Sequence, residues 1–461
     1  HLQVTASDSS LMPPTTRPRL NTIAGPLLGE FLLLMSVAMG GLWLASHTSD
    51  AAAGAFGLVN QILETLLVVF RVLAIGLGVV VTQYLGGQQH ASARRAALLS
   101  LGASTWAGAL VVVIVVAGND QILEWLNAPD AIEALAAPYL QWFAPALILE
   151  AYNLSMASVL RAHLHSKDSL KVMIVMHSSH LALAALLMRG WGAWDGLGLE
   201  GYAIAMLLSR AIGLAMHLWF WRIRMQLVPQ ARDWWIAPWK DLWPVLRVGL
   251  PGAGVEVAYR GAFMVSVAAT ARLGVTALAT HSYTLQLLKY VLLTSMAIGW
   301  ACEIMVGRLV GAGDLRVANG LVRKAVRNGL LASGSLALLA ALGAPWLMRM
   351  FTKDPAVIHA AQTLLWISLA LETGRVFNLI LNGALRATGD AIYPAASSVA
   401  SLVLVLGVGS FWLGRLFGLP GVWMAYAIDE WIRGLLLLAR WLWRGWLPNA
   451  RDSRRRLRAG G

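Results

Sequence analysis

Acidic side chains stand inside segments of this sequence that are otherwise apolar. A carboxylate within a lipid bilayer costs about 3 kcal/mol, so an acid that is retained there is by default a candidate for function. Burial also favours the protonated form of an acid without a basic neighbour, which suits such an acid to carry a proton. The candidates are Glu30, Glu64, Glu150, Glu256, Glu303, Glu372, Asp429 and Glu430.

The spacing of basic residues divides these acids into two groups. Glu30 and Glu64 have no basic residue within one helical turn, and the sequence predicts that both are unpaired. Other acids precede an Arg by three or four residues, which places both side chains on one helix face. These predicted pairs are Glu256 with Arg260, Glu372 with Arg375, and Asp429 with Arg433. A structural and a functional role are equally compatible with such pairs, because transporters also use ion pairs that a proton or a substrate can break.

Two further acids have less clear surroundings. Glu303 lies five residues before Arg308, and that pairing would place it at the membrane interface. The sequence suggests no partner and no role for Glu150.

Amides and imidazoles are the other polar groups within apolar segments. Asn153 and Asn378 could bind a cation or a substrate, although hydrogen bonding between membrane helices is the commoner role of such residues. Four histidines lie close together in the sequence: His163, His165, His177 and His180. No Glu stands between two of them at the zinc-protease spacing, and no P-loop spacing occurs in the chain. We therefore expect no metal site, no cofactor and no use of ATP.

The composition identifies the elements that must position these residues. The chain has 461 residues, of which 58% are hydrophobic and 13% charged, whereas soluble domains have about a quarter of their residues charged. This composition excludes a soluble enzyme or an extended nucleic-acid-binding protein. The net charge of +13 comes from basic residues beside apolar segments, a pattern typical of membrane topology signals.

The apolar runs predict twelve transmembrane helices. They are continuous over about 20 residues or more, whereas a membrane barrel would show shorter strands of alternating polarity. Lys and Arg concentrate in the segments that would face the cytoplasm if the N-terminus lies there. We therefore expect an all-α polytopic protein of a bacterial cytoplasmic membrane, with both termini in the cytoplasm.

An internal repeat divides the helices into two halves. When the second half of the sequence is aligned with the first, Pro251 matches Pro26, Asn378 matches Asn153, and Leu385-Arg386-Ala387 matches Leu160-Arg161-Ala162. A short deletion after the fifth helix changes the register, and Gly418 and Arg444 then match Gly198 and Arg224. Parallel repeats of six helices predict two lobes related by a pseudo-twofold axis along the membrane normal. The predicted division is an N-terminal tail at 1–21, an N-lobe at 22–224, a linker at 225–243, a C-lobe at 244–444 and a basic tail at 445–461.

Equivalent prolines stand in the first helix of each predicted lobe. Pro26 and Pro251 each remove a backbone hydrogen bond, so that each is a candidate hinge or a simple kink. Glu30 and Glu256 follow these prolines by four and five residues, which places the two acids at similar depth.

Several motifs carry a resemblance to a known family. Gly249-Leu250-Pro251, the segments 307–314 and 385–390, and Gly418-Leu419-Pro420-Gly421 resemble motifs of the multidrug and toxic compound extrusion (MATE) family of cation-coupled transporters. The resemblance implies two six-helix lobes that form a V, and export of an organic, often cationic and amphipathic compound in exchange for Na⁺ or H⁺.

The resemblance has local departures. The Asp that many members carry late in the first helix is absent, since Gly40, Gly41, Leu42 and Trp43 occupy that stretch. Other members carry acids in the seventh and tenth helices. Glu256 and Glu372 lie in these helices here, each about one turn from the usual position, and Arg375 stands at that position in the tenth.

The sequence thus predicts an antiporter coupled to H⁺ or Na⁺ that works as a monomer with a small organic substrate. Glu256 and Glu30 are the first candidates for coupling and Glu372 the next, with Arg260 and Arg375 adjusting their protonation. Glu64, Asn153 and Asn378 complete the predicted site.

Two alternatives remain open. A flippase for a lipid-linked or phosphate-bearing precursor on a related scaffold would need a cleft rich in cations, and six intramembrane residues are candidates: Arg71, Arg210, Arg260, Lys289, Arg375 and Arg433. A membrane enzyme would place a polar catalytic cluster on a few helices, and the repeat argues against it.

Overall fold

The computed structural model describes residues 19–459, and this part of the chain consists of helices joined by short connections. The predicted N-terminal tail lies outside the described residues except for its last three. The N-terminal half contains α1 (Leu20–Thr48), α2 (Asp50–Gly86), α3 (His90–Trp125), α4 (Asp130–Ala162), α5 (Ser166–Arg189) and α6 (Leu199–Met225). The C-terminal half contains α7 (Trp239–Ala271), α8 (Val275–Ala312), α9 (Leu315–Leu342), α10 (Ala344–Met348), α11 (Pro355–Ala387), α12 (Ile392–Ser401), α13 (Gly409–Phe417), α14 (Leu419–Leu442) and α15 (Leu447–Ala459).

The long helices fit the thickness of a membrane. Within residues 19–459, ten helical segments are long and apolar enough to cross a bilayer. One of them is Ile392–Phe417, in which a π-helical stretch, Leu402–Val408, joins α12 to α13. Two more helices, α7 and α14, have sufficient length but carry charged residues in their middle. Together these segments agree with the twelve predicted spans.

Each half folds as one lobe around a central helix. In the N-lobe α4 packs against α2, α3 and α6, and in the C-lobe α11 packs against α8, α9 and α14. Aromatic rings fill both cores: Tyr139 and Phe143 contact each other edge to face in the N-lobe, while Trp423 and Tyr426 do so in the C-lobe. Helices that the sequence repeat aligns therefore occupy equivalent positions in the two lobes.

The lobes meet through α1 and α2 of the N-lobe and α7 and α8 of the C-lobe. Their contacts lie toward one face of the protein, where α1 begins and α14 ends; we call it the terminal face. Gly86 of α2 lies against the carbonyl of Arg308, and the equivalent Gly311 of α8 lies against the carbonyl of Gln83. A Cβ at Gly86 would come within 1.8 Å of that oxygen, so only glycine allows the two backbones this approach. The lobes are thus closed together at the terminal face.

Two segments differ from the simplest sequence prediction. The predicted linker, 225–243, contains a 3₁₀ turn, Ala231–Trp234, and the first residues of α7, which begins directly after Pro238. The predicted basic tail forms α15, which buries Ala450 and Leu457 at the terminal face. The backbones of α1 and α7 remain helical through Pro26 and Pro251, and the hinge role of these prolines stays a prediction.

Candidate functional site

The densest group of buried charges lies in the C-lobe between α11 and α14. Arg375 Nη1 donates to Glu372 Oε1 at 2.9 Å, and its Nε lies 3.5 Å from Glu430 Oε1. Arg433 donates to Asp429 Oδ2 at 2.7 Å and to Glu430 Oε1 at 2.9 Å. The predicted pairs Glu372–Arg375 and Asp429–Arg433 are therefore present, and Glu430 joins them into one network that we call the C-lobe cluster.

The C-lobe cluster contains more acids than bases. Its three carboxylates, Glu372, Asp429 and Glu430, face the two guanidinium groups of Arg375 and Arg433. With all five groups ionised the cluster therefore carries one surplus negative charge. A buried negative charge without a counter-charge is costly in a membrane.

Two acceptor oxygens of the C-lobe cluster have no hydrogen-bond partner among the described residues. They are Glu372 Oε2 and Asn378 Oδ1. The Glu372 side chain is fully buried, with 0% of its surface exposed, and the Asn378 amide uses its Nδ2 to donate to Glu430 Oε2 at 2.9 Å. Carboxylate and amide oxygens are the donor groups that hard cations such as Na⁺ prefer.

Sequence spacing and close helix packing explain why this cluster forms. Glu372, Arg375 and Asn378 follow one another at intervals of three residues along α11, so they share one side of the helix. Gly434 of α14 lies against the backbone carbonyl of Gly374, and this lack of a side chain lets the two helices approach closely.

A helical irregularity borders the cluster. Ser401, the last residue of α12, donates from Oγ to Asp429 Oδ1 at 2.7 Å. The π-helical stretch Leu402–Val408 begins at the next residue. Such stretches are rare and occur frequently at functional sites, and the sequence contained no signal that predicted this one.

The N-lobe contains a simpler ion pair at the corresponding place. Arg210 of α6 donates from Nε to Glu150 Oε2 of α4 at 2.5 Å, and both side chains are buried. Asn153 donates from Nδ2 to the carbonyl of Arg210 at 3.0 Å, and its Oδ1 lies 2.8 Å from His217 Nδ1. Each polar group of Asn153 therefore has a partner, whereas Asn378 Oδ1 has none among the described residues.

The repeat relates the two ion pairs with their charges exchanged. The register that matches Asn153 with Asn378 also aligns Glu150 with Arg375, and the register after the fifth helix aligns Arg210 with Glu430. The acid lies on α4 and the base on α6 in the N-lobe, whereas the base lies on α11 and the acid on α14 in the C-lobe. The repeat register alone already aligns these residues, so the ion pair of Glu150 with Arg210 could have been predicted from the sequence.

The prediction that Glu30 is unpaired is wrong. Arg161 of α4 donates to Glu30 Oε2 at 3.1 Å, and Ser169 of α5 donates to Glu30 Oε1 at 2.7 Å. The Arg161 guanidinium also lies over the ring of Trp300 from the C-lobe, 5.4 Å from its centroid. The partner was missed because it comes from another helix.

The predicted pair of Glu256 with Arg260 is also wrong. Arg71 of α2 donates to Glu256 Oε2 of α7 at 3.0 Å, and this ion pair joins the two lobes. Arg71 lies 3.5 Å from Glu64 Oε2 as well, so Glu64 is not unpaired. Arg260 donates instead to the backbone carbonyl of Glu64 at 3.2 Å.

A small cavity of about 180 Å³ adjoins this ion pair. It lies between α2 and the C-lobe helices α7, α11 and α12, and is mainly apolar, with Val72 and Ile75 on the N-lobe side. Its polar lining consists of Glu256, Asn382 and Arg386. The cavity therefore combines an apolar surface with a few polar groups at the boundary between the lobes.

The expected pairing of Glu303 with Arg308 does not occur. Arg386 forms a two-pronged contact with Glu303, with distances of 2.9 and 2.8 Å, whereas Arg308 donates to the carbonyl of Ala162 across the lobe boundary. Glu303 is thus part of the C-lobe interior.

In the described part of the chain, the histidines belong to no group of three or more side chains placed to hold a metal ion. His163 lies in the connection after α4, and burial lowers its pKa to about 4. Its imidazole is therefore neutral at pH 7.

Most cations that a flippase would need already have acidic partners. Arg71, Arg210, Arg375 and Arg433 each contact a carboxylate, which leaves only Arg260 and Lys289 of the six candidates without an acidic partner among the described residues. The phosphate-binding alternative is therefore not favoured.

Comparisons with known proteins agree with this architecture. The family model described as MatE matches residues 26–186 and 251–411, one copy in each half. The chain is 28% identical to the "Uncharacterized transporter YisQ" of Bacillus subtilis over 93% of its own length and 94% of the relative's. It is 25% identical to the "Probable multidrug resistance protein NorM" of Thermotoga maritima, covering 97% of each chain.

Solved structures share the fold. A crystal structure of MATE in the bent conformation superposes with a TM-score of 0.83 at 15% identity, covering 96% of each chain. The Vibrio cholerae MATE transporter VcmN in its bent form gives a TM-score of 0.80 at 18% identity, covering 94% of this chain and 97% of that one. The fold predicted from the sequence, twelve helices in two six-helix lobes, is thereby confirmed.

Proposed function

The chain belongs to the MATE family of multi-pass membrane transporters, and from this premise we propose that it is an antiporter that exports organic compounds in exchange for H⁺ or Na⁺. Its substrates are amphipathic or cationic small molecules. It resides in a bacterial cytoplasmic membrane with the terminal face toward the cytoplasm, and a single chain with both lobes is the working unit.

The surplus carboxylate of the C-lobe cluster carries the proposal. Glu372 Oε2 is buried without a partner among the described residues, and a proton or a sodium ion bound at that oxygen would remove the uncompensated charge. The empty and the loaded cluster therefore differ in electrostatic free energy. A ligand shifts a conformational equilibrium only through such a difference between states.

The closed terminal face supports alternating access. In this conformation Gly86 and Gly311 hold the lobes in backbone contact at that face. Export requires that the contact open to admit substrate from the cytoplasm or the inner leaflet and then close again. The small inter-lobe cavity beside Glu256, with its apolar wall, is where we place the inner end of the substrate path.

Among the acids predicted from the sequence we now rank Glu372 first. Glu30 has a guanidinium of its own, Arg161, at 3.1 Å. Glu256 shares Arg71 with Glu64, but its side chain is 34% exposed, so its charge costs less than that of the fully buried Glu372. Glu30 and Glu256 remain candidates for coupling through ion pairs that a proton or a substrate breaks. Arg375, which donates to Glu372 Oε1, remains the group that adjusts the protonation of Glu372.

Transport by purified protein in proteoliposomes tests the proposal. We expect an imposed proton or sodium gradient to drive uptake of a fluorescent organic cation, and Glu372→Gln to reduce this uptake at least about tenfold, because a carboxamide can neither bind the proton nor balance the cation. Imposing the two gradients separately identifies the ion.

Binding of the same dye without a gradient separates coupling from substrate recognition, and Glu372→Gln should retain it. Glu124→Gln, a change of an exposed acid at the end of α3, is the matched control and should transport as the wild type does. Gradient-driven uptake that is unchanged in Glu372→Gln would contradict this assignment, and the same assay with Glu30→Gln and Glu256→Gln tests the other two acids.

A further inference from the structure

The outer face of α9 carries a stripe of basic residues. Arg316, Arg323, Lys324 and Arg327 are all exposed, whereas Ala318, Val322, Ala325 and Gly329 face the C-lobe interior. The helical period places the four basic residues opposite this buried face. The sequence of α9 from Leu315 to Leu342 contains no acidic residue.

The stripe has no counter-charge of its own. Among the described residues none of its members forms an ion pair, and Arg327 contacts only the amide oxygen of its neighbour Asn328, at 3.5 Å. Five arginines inside the lobes differ in that each has a carboxylate partner: Arg161, Arg210, Arg375, Arg386 and Arg433. Four cations in a row therefore remain available to an external anion.

The position of the stripe along α9 corresponds to the level of lipid headgroups. The helix begins at the terminal face, and its outer surface changes from Arg327 to Leu331, of which 64% is exposed. Leu338 and Leu342 continue the exposed apolar surface. An abrupt change from basic to apolar residues on a lipid-facing helix marks the boundary between headgroups and acyl chains.

The equivalent surface in the N-lobe is covered by the chain itself. The repeat register aligns Arg327 with Gly102 and Leu331 with Trp106 of α3. Gly102 lies against the carbonyl of Ile236, and Trp106 donates from Nε1 to the carbonyl of Trp235 at 2.9 Å. The segment between the lobes thus packs on α3, whereas the matching face of α9 is exposed.

Hydrophobic residues replace the stripe at the other equivalent positions. Arg316, Arg323 and Lys324 align with Ala91, Leu98 and Leu99. Leu99 is buried with Val245 and against Ala237. The basic stripe is therefore a property of one lobe and does not follow from the shared fold.

We propose that the stripe on α9 binds the headgroups of anionic phospholipids, which cover the C-lobe face as residues 235–236 cover the N-lobe face. Guanidinium groups match the oxygens of a phosphodiester in pairs, and juxtamembrane basic clusters attract anionic lipid surfaces. The long side chains of Arg and Lys reach the phosphate level while their methylene groups stay against the helix. The lipid holds the outer helix of this lobe, and the site is independent of the coupling ion and the exported compound.

Native mass spectrometry of the purified protein with added phosphatidylglycerol or phosphatidylcholine tests the proposal. We expect the wild type to retain phosphatidylglycerol in preference to phosphatidylcholine. In the triple variant Arg323→Gln/Lys324→Gln/Arg327→Gln, the ratio of retained phosphatidylglycerol to phosphatidylcholine should fall at least about tenfold. The matched control Arg222→Gln/Arg232→Gln/Lys240→Gln removes the same charge from exposed positions near the N-lobe and should leave the preference unchanged.

Three results would overturn the proposal. They are equal retention of both lipids by the wild type, unchanged preference in the triple variant, and an equal loss in the control variant. Inorganic phosphate at the same concentration should not displace the lipid; if it does, the stripe is a site for free anions. If the triple variant does not fold, the wild-type preference is measured at rising salt. Salt should weaken this preference, and a preference that salt leaves unchanged would also overturn the proposal.

Discussion

The two lobes share a fold and an ion pair, yet they use the pair differently. In the N-lobe Glu150 and Arg210 balance each other, and the adjoining Asn153 has all its hydrogen bonds. In the C-lobe the equivalent pair, Arg375 with Glu430, lies beside a further acid that leaves the cluster with one surplus charge. Under the proposed function, the duplicated element serves stability in one copy and coupling in the other.

The largest expected effect follows from removing the acid of the N-lobe pair. Glu150→Gln leaves the buried Arg210 guanidinium without a counter-charge, and we expect a loss of about 3 kcal/mol in the free energy of unfolding. Thermal or denaturant unfolding in detergent measures it. Glu372→Gln is the comparison and should cost less than about 1 kcal/mol, since Arg375 keeps Glu430. Equal losses in the two variants would remove the distinction between the lobes.

A smaller net effect is expected from exchanging the charges of the N-lobe pair. In Glu150→Arg/Arg210→Glu the N-lobe adopts the order of charges that the C-lobe already has, and we expect the double variant to recover most of the stability that Glu150→Gln loses. The same unfolding measurement applies. A double variant as unstable as the single one would indicate that the surrounding side chains, and not the pairing, decide which charge each helix can carry.

The smallest effect on stability is expected at the ion pair between the lobes. The side chains of Arg71 and Glu256 are 29% and 34% exposed, and such a pair contributes less than about 1 kcal/mol. Arg71→Gln should therefore leave the unfolding temperature nearly unchanged. Arg260→Gln, which removes only a contact with a carbonyl, serves as its control. A loss of unfolding free energy as large as that in Glu150→Gln would show that the ion pair between the lobes stabilises the fold as strongly as the buried pair of the N-lobe.

The fold was predictable because it depends on properties that run along the chain. Apolar length located the spans, and the repeat register divided them into two lobes. The ion pairs Glu372–Arg375 and Asp429–Arg433 were predictable for the same reason, since both partners lie on one helix within four residues.

Pairs between helices were not predictable from spacing. Glu30 and Arg161 are separated by 131 residues, and Glu303 and Arg386 by 83, so their contacts depend on how the helices pack. The pair of Glu150 with Arg210 lies between these extremes, since spacing does not predict it but the repeat register does. The register aligned Glu150 with Arg375, and opposite signs at equivalent positions predict that each has a partner of the other sign on a neighbouring helix.

The paired glycines at the terminal face make its closure unusually easy to block. Gly86 and Gly311 each leave room for a carbonyl of the opposite lobe, so a single added methyl group at either position acts as a wedge between the two halves. Because the two positions are equivalent in the repeat, a side chain added to either lobe would separate the lobes at this face. The closed terminal face thus depends on positions where the chain has no side chain, among them Gly86 and Gly311.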